Sequence, residues 1–488
     1  MQLLQEQPVA VAPPVEQTEE VIPPSLDHTL DQFTDCADLV HRSFPKANLD
    51  VVYFAFLVGN DEFLRDIAMP FSDVTESEAA LRLTQSQYMP VNNSKDCIKG
   101  ILNGKAAIFF QDVAFLVDIS HPIGRSIAQS ETETVITGPH DGFVENLVHN
   151  LSVVRRRIKS SHVKTVTLEV GEVSKTIVVL VYMEDIVDMS FVQMLRDRIQ
   201  QIEVDSVFET NQLVQLIDDN PNSLFPQFMT TERPDAICSK IVAGRVACFV
   251  EGSPSAFSCP TSFFEFFSSP DDYYQRWQLG TALRILRIIG FLITMIFTAL
   301  YVSVTTFHYE MIPHTMLLNL TESRSKVPFP PLVEAIMMET TIELLREAGA
   351  RLPSKIGQTI GIVGGIVIGQ AAVQAGFTSN ILIIAVALSA IASFVIPSYL
   401  MSASIRLIRF GIIFLAGILG NFGIIVGVGL VVIHLSGITN MGTSYLTPIA
   451  PISTYDWLDT FARGPFWSLR KRPSQARTNN EVKSRPRK

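Results

Sequence analysis

Charge is missing from long parts of this 488-residue chain. Asp, Glu, Lys and Arg are absent from Ile288 to Phe307, from Ile356 to Ile405 and from Phe410 to Tyr455. A bilayer core takes about 20 apolar residues per spanning helix, so these gaps exclude an ordinary water-soluble protein and predict an integral membrane protein. Cysteine is also scarce. Cys36, Cys97, Cys238, Cys248 and Cys259 form an odd set with no CxxC spacing, all ahead of the charge-free half. That excludes a disulfide framework and predicts reduced cytoplasmic thiols. Lys and Arg do not occur in the opening "MQLLQEQPVAVAPPVEQTEEVIPP", which has no signal-peptide apolar core either. Its acidic, Pro-rich composition predicts a disordered tail over residues 1–35. No phosphate loop, GxSxG or His/Cys cluster at metal spacing is present, and the nine histidines are scattered. We therefore expect no enzyme: no catalytic residue, metal site or cofactor, and no nucleic-acid partner.

What is present divides the chain. Net charge is −10 and 47% of residues are hydrophobic, but the apolar content lies mostly in the second half. In the first half, Val51–Val58, Ala106–Ile119, "VKTVTLEV" and "KTIVVLVYM" have strand composition. Residues 145–160, 188–202 and 207–219 have helical periodicity. The segments "ILNGKAAIFF" (101–110) and "IVAGRVACFV" (241–250) repeat one pattern: an apolar pair, Gly104 or Gly244, a base, then an apolar strand. Two glycine turns into similar hairpins would explain it, and so would two related α/β subdomains.

In the second half, spans are expected near 288–307, 381–400 and 410–435, with a further one near 356–376. Between the first and the last of these, "VPFPPLVEAIMMETTIELLREAGARLP" sits between prolines that stiffen its entry. Its helix, about 332–348, carries Glu334, Glu339, Glu343 and Glu347, and the last three repeat every four residues on one face. Carboxylates facing lipid are costly. Three arrangements accommodate them: a helix lying at the interface, a helix lining an aqueous cavity, or pairing with Arg324, Arg346 or Arg351. The following helix places Gly361, Gly365 and Gly369 on one small-residue face suited to close helix packing. Val363, Val367, Gln370 and Gln374 lie on the opposite side, a candidate pore face with an apolar constriction. Tight packing without a pore fits the same pattern. Arg406 and Arg409 follow the 381–400 span, and from Leu469 to Lys488 the chain carries eight basic residues and one acid. The positive-inside rule then favours both termini on the cytoplasmic side, although it leaves Arg406 and Arg409 outside.

The resulting expectation is an α/β N-terminal soluble region of two small subdomains, then an all-α polytopic membrane domain. That domain has about four spans plus an interfacial or re-entrant helix. Boundaries are a tail (1–35), a first subdomain (36–160), a second (161–280), a transmembrane domain (281–440) and a basic cytoplasmic tail (441–488).

Several blocks resemble one family. "VPFPPLVEAIMMETTIELLREAGARLPSKIGQTIGIVGGIVIGQAAVQAG", "GPHDGFVENLVHNLSVVRRRI", "TERPDAI", "GRVACFVEG", "SPDDYYQRW" and "ALSAIASFVIPSYLMSASIRLIRF" are similar to the spore germination protein A-subunit family, the A components of nutrient germinant receptors. The likeness covers roughly residues 50–473. Departures are small: His140-Asp141 where a basic-acidic pair is usual, and Ser325-Lys326 before "VPFPP". The resemblance implies partners, namely a transporter-like integral B subunit and a lipoprotein C subunit. It also implies the spore inner membrane, a two-subdomain α/β module on the core side, and a homo-oligomeric, nutrient-gated ion channel. In that setting Glu334, Glu339, Glu343 and Glu347 would form a cation-attracting vestibule or collar. The competing expectation is a non-conducting scaffold that relays the germinant signal.

Overall fold

The computed structural model describes residues 22–120, 133, 135–352, 365 and 367–484. The chain forms two compact units, one of Met1–Ile123 with Lys159–Ser161, the other of Gly124–Ile158 with His162–Lys488.

The first unit is built on an antiparallel sheet of β1 (Leu39–Phe44), β2 (Leu49–Phe54), β3 (Met89–Val91), β4 (Lys105–Phe110) and β5 (Val113–Asp118), in the order β1-β2-β4-β5-β3. The run Ala106–Phe110 is continuously apolar because both faces of the sheet are covered. Alternation along the strands sends Val51, Ala106, Ile108 and Phe110 into one core. It sends Val52, Ala107, Phe109 and Leu116 into another, under α1 (Leu26–Gln32) and α2 (Ser94–Leu102). The tail expected over residues 1–35 is therefore too long. Helix α1 lies within it, N-capped by Ser25 and anchored by buried Thr29 and Phe33.

The second unit opens with α3 (Leu147–Arg157) and then repeats the plan. Strands β6 (Val163–Val170), β7 (Thr176–Met183), β8 (Met229–Thr231), β9 (Val246–Val250) and β10 (Ala256–Cys259) run in the order β6-β7-β9-β10-β8. Helices α4 (Met189–Gln200), α5 (Thr210–Ile217) and α6 (Pro234–Val242) accompany them. The sequence echo is a repeated joint. Both α2 and α6 end at a left-handed glycine, with φ +88° at Gly104 and +91° at Gly244. Each glycine donates its N–H to the carbonyl three residues back, of Ile101 or Ile241, at 3.0 Å. Two related subdomains is the reading the topology supports. Helix α3, placed in the first subdomain at the sequence level, packs on α6 in the second unit. There Arg155 donates to the Val163 carbonyl at 2.8 Å.

The helical part continues the second unit: α7 (Trp277–Thr306), α8 (Pro331–Ala350), α9 (Asn380–Phe394), α10 (Tyr399–Leu419) and α11 (Asn421–Gly437). Helices α7 and α10 are long and apolar enough to cross a membrane, with mean hydropathies of 2.2 and 1.8. Helices α9 and α11 are apolar and shorter. Helix boundaries differ from the expected spans. Ser398, one residue past Pro397, N-caps α10 by accepting the Met401 N–H, and Gly420 at φ +63° ends it. Arg406 and Arg409 consequently lie in mid-helix, not in a loop between spans.

Residues 441–484 are packed, not a free tail. Met441 belongs to the core of the second sheet, and Tyr445 is fully buried against Phe263. Asn479 donates its backbone N–H to Ile186 and its side-chain amide to Val187.

Candidate functional site in the helical part

Helix α8 begins with Pro331 at its first position, where a missing N–H costs nothing. Its first acid, Glu334, is fully buried and accepts from Thr378 Oγ1 at 3.0 Å and from the Ser379 N–H at 2.5 Å. It thereby sits at the electropositive start of α9. Glu339 is also fully buried. It accepts from Thr298 Oγ1 of α7 at 2.7 Å and pairs with Arg409 Nη2 of α10 at 2.7 Å. Arg409 donates in turn to Ser389 of α9 at 2.9 Å, so four helices meet at one ion pair. Farther along, Glu343 accepts from Arg406 Nε at 2.9 Å and contacts Arg346 at 3.4 Å. Glu347 pairs with Arg351 at 2.6 Å.

The four carboxylates therefore do not share one open face. Four residues advance a helix by about 400°, so each step of the repeat drifts some 40° past a full turn. Side-chain exposure rises from 0% at Glu339 to 34% at Glu343 and 57% at Glu347. Within this chain, burial rules out an open vestibule at Glu334, held by Thr378 and the Ser379 N–H, and at Glu339, paired with Arg409. Of the expected partners, Arg346 and Arg351 take part. The buried partners Arg406 and Arg409 were missed, although two arginines three residues apart between charge-free runs were a usable signal.

Gly361 and Val363 lie outside the described residues. Val367 is 57% exposed, and Gln370 and Gln374 are exposed. Gly365 and Gly369 face the other way: a Cβ there would meet Leu345 of α8 at 3.9 Å and Ile383 of α9 at 4.0 Å. These are ordinary contacts, so close backbone approach is not what these two glycines serve within the chain. The tight sites are Gly417, where an added Cβ would lie 2.6 Å from Leu332, and Gly423, 2.1 Å from the Leu415 carbonyl. A cavity of about 1290 Å³ opens between α8, α9, α10 and residues 365–374.

A second charged assembly joins the α/β part of this unit to α7. Arg233 forms a bidentate pair with Asp235 (3.1 and 2.8 Å) and reaches Asp271 at 2.8 Å. Tyr274 donates to Asp235 at 2.7 Å. Burial alone would raise the Asp235 pKa, but the hydrogen bonds from Arg233 and Tyr274 bring it below its usual range. Asp272, fully buried, receives Arg284 at 3.0 Å and Arg287 at 2.7 Å from α7. Tyr273 donates to Asp459 at 2.6 Å, and Arg284 donates to the Asp459 carbonyl. Arg284 and Arg287 are thus consumed in pairs rather than free beside a span. Nearby, Glu265 holds Arg245 and Lys240. Burial raises its carboxyl, yet the two cations more than compensate and leave it at about 2.

The blocks "TERPDAI", "GRVACFVEG" and "SPDDYYQRW" converge in this assembly, far apart in sequence and adjacent in space. The matched family is described as "Bacillus/Clostridium GerA spore germination protein", and its profile covers residues 27–475. The chain belongs to the GerA family of spore germination proteins. Spore germination protein GerQA of Bacillus cereus is 39% identical over 477 residues, spanning 94% of this chain and 95% of that protein. Spore germination protein A1 of Bacillus subtilis (strain 168) is 36% identical over 482 residues, 96% and 99% of the two chains. The uncharacterized membrane protein YfkQ of the same strain is 34% identical over 479 residues, 95% and 93%. A role in spore germination and association with a membrane follow from this membership and from the apolar helices. The family and the germination relatives are described by their role in germination.

Proposed function

We propose that this chain is the A subunit of a nutrient germinant receptor in the spore inner membrane, working with a transporter-like B subunit and a lipoprotein C subunit. Copies assemble around the exposed Val367, Gln370 and Gln374 to form a nutrient-gated ion channel. The soluble subdomains and the C-terminal segment lie on the core side. The observation that carries the proposal is the exposure of those three residues. Val367 is 57% exposed and Gln370 and Gln374 are exposed, so the described residues of this chain leave a stripe of valine and uncharged amides accessible to another copy, while the two glutamines also line the cavity beside α8 and α9. Amide and apolar rings are suited to coordinating ions and to gating by dewetting. Glu343 and Glu347, the partly exposed acids, are the ones placed to raise local cation concentration.

The test is conductance of the purified A subunit, alone and with its partners, in planar bilayers. Nutrient-dependent conductance that Val367→Ala or Val363→Ala makes constitutive supports the channel. A silent bilayer with an intact, nutrient-binding complex rejects it. The second reading, a non-conducting relay, is favoured by the assembly around Asp272, which ties the second sheet to α7 through buried charge. Under that reading, Glu343→Gln leaves ion release unchanged as long as the complex assembles.

A further inference from the structure

The cavity beside residues 365–374 has an unbalanced wall. Most of its lining is apolar, including Leu345, Ile368, Ile383 and Phe394, and its charged lining residues are Arg346 and Arg406. The other acids of α8 have their own partners: Glu339 is with Arg409 and Glu347 with Arg351. Glu343 alone answers two guanidinium groups, Arg406 at 2.9 Å and Arg346 at 3.4 Å. Arg406 uses Nε on Glu343 and Nη1 on Ser402, and its Nη2 makes no hydrogen bond among the described residues. Arg346 otherwise reaches Ser393 at 3.0 Å and lies 4.8 Å from the Phe394 ring centre. One positive charge is therefore left over at the edge of an apolar chamber. An unbalanced charge inside a helical membrane domain is expensive, and basic pockets between membrane helices bind anionic headgroups.

We propose that this cavity holds one anionic phospholipid, its phosphate on Arg346 and Arg406 and its acyl chains along Ile368 and Ile383. The size argues for a lipid over a small solute. At about 1290 Å³ the chamber exceeds the roughly 300–1,000 Å³ of small-molecule pockets, and although Gln370, Gln374, Asn380 and Ser393 add polar groups, most of its lining is apolar and suits acyl chains. Within residues 367–374 the lipid lies against Ile368, Gly369, Val373 and the two glutamines, while Val367 is not part of the lining, so its presence does not require conduction. Occupancy would wedge that segment away from α9, and loss of the lipid would let it settle.

The experiment uses the full-length chain in nanodiscs of equal phosphatidylglycerol and phosphatidylcholine, extracted and read by native mass spectrometry. One phosphatidylglycerol is expected to survive delipidation. Ala390→Trp, which fills the chamber and leaves both arginines, is expected to abolish retention while the thermal midpoint is unchanged. Arg346→Gln is expected to lower the preference for phosphatidylglycerol roughly fivefold. Equal retention of the two lipids overturns the proposal, as does retention of neither. So does preferential disulfide trapping of Ala390→Cys against an introduced cysteine at position 368 of a second copy, which would make the chamber a subunit contact.

Discussion

The two five-stranded subdomains share a strand order but bury different things. In the first, Asp38 is the buried charged residue among those described; the second buries Arg155, Lys164, Arg233, Asp235, Arg245, Asp271 and Asp272. The repeated glycine joint shows the same contrast. A Cβ on Gly104 would meet Ser120 and Leu57, within its own subdomain. On Gly244 it would meet Thr478, from the C-terminal segment, at 2.2 Å. One copy of the plan is closed on itself. The other has been fitted, through charge and close contact, to α7 and to the end of the chain.

The strongest way to break this contrast is to remove one buried charge. Arg233→Ala leaves Asp235 and Asp271 buried and unpaired, and is expected to cost about 3–5 kcal/mol in thermal unfolding. The exposed His41–Asp50 contact of the first subdomain should lose less than about 1 kcal/mol on Asp50→Ala. A loss at Asp50 as large as at Arg233 would erase the distinction. Next come the glycines. Gly104→Ala and Gly244→Ala both force a side chain into the left-handed region, at about 1–2 kcal/mol. Gly244→Ala should cost more, and Thr478→Ala should recover only that excess, measured by denaturant midpoints.

Acid separates the subdomains further. Glu265 has a depressed pKa of about 2 against an ordinary 4.5. Its contribution is complete above pH 4.5 and is lost as pH falls toward 2, by linkage. Glu265→Gln should flatten that limb of the stability curve. The smallest expected effect is at Asp218, at the end of α5. Burial first, then the neighbouring Asp219, pushes it up to about 7. The folded state therefore favours the protonated acid, and stability falls as pH rises from 3.8 to 7. Asp218→Asn should gain stability at pH 8 and little at pH 4, an effect held to about 1 kcal/mol because solvent screens this half-buried carboxyl.

Legibility in the sequence followed signal strength. Strands β2, β4, β5, β6 and β7 were readable because they are apolar and long enough to show a pattern. Strand β1 is largely exposed, while β3 and β8 are three residues each, too short for any period. The acids of α8 were visible as a row, but their partners were not. Glu343 and Arg406 lie 63 residues apart, and a rule that counts loop charges cannot recognise a charge already paired. Residues 441–484 read as a tail because much of what holds them is polar, such as Arg472 on the Val242 carbonyl and Gln475 on Thr443.

The return of the C-terminal segment to the second sheet has a consequence for biosynthesis. Domains fold in order as they leave the ribosome, and the first subdomain has all its strands once Asp118 has emerged. The second sheet must wait for Met441, Thr478 and Asn479, which are translated only after α7 through α11. Synthesis of the helices thus precedes completion of the packing around the sheet that comes before them, and a nascent chain stalled short of residue 479 carries α7 through α11 together with a sheet that lacks its last contacts.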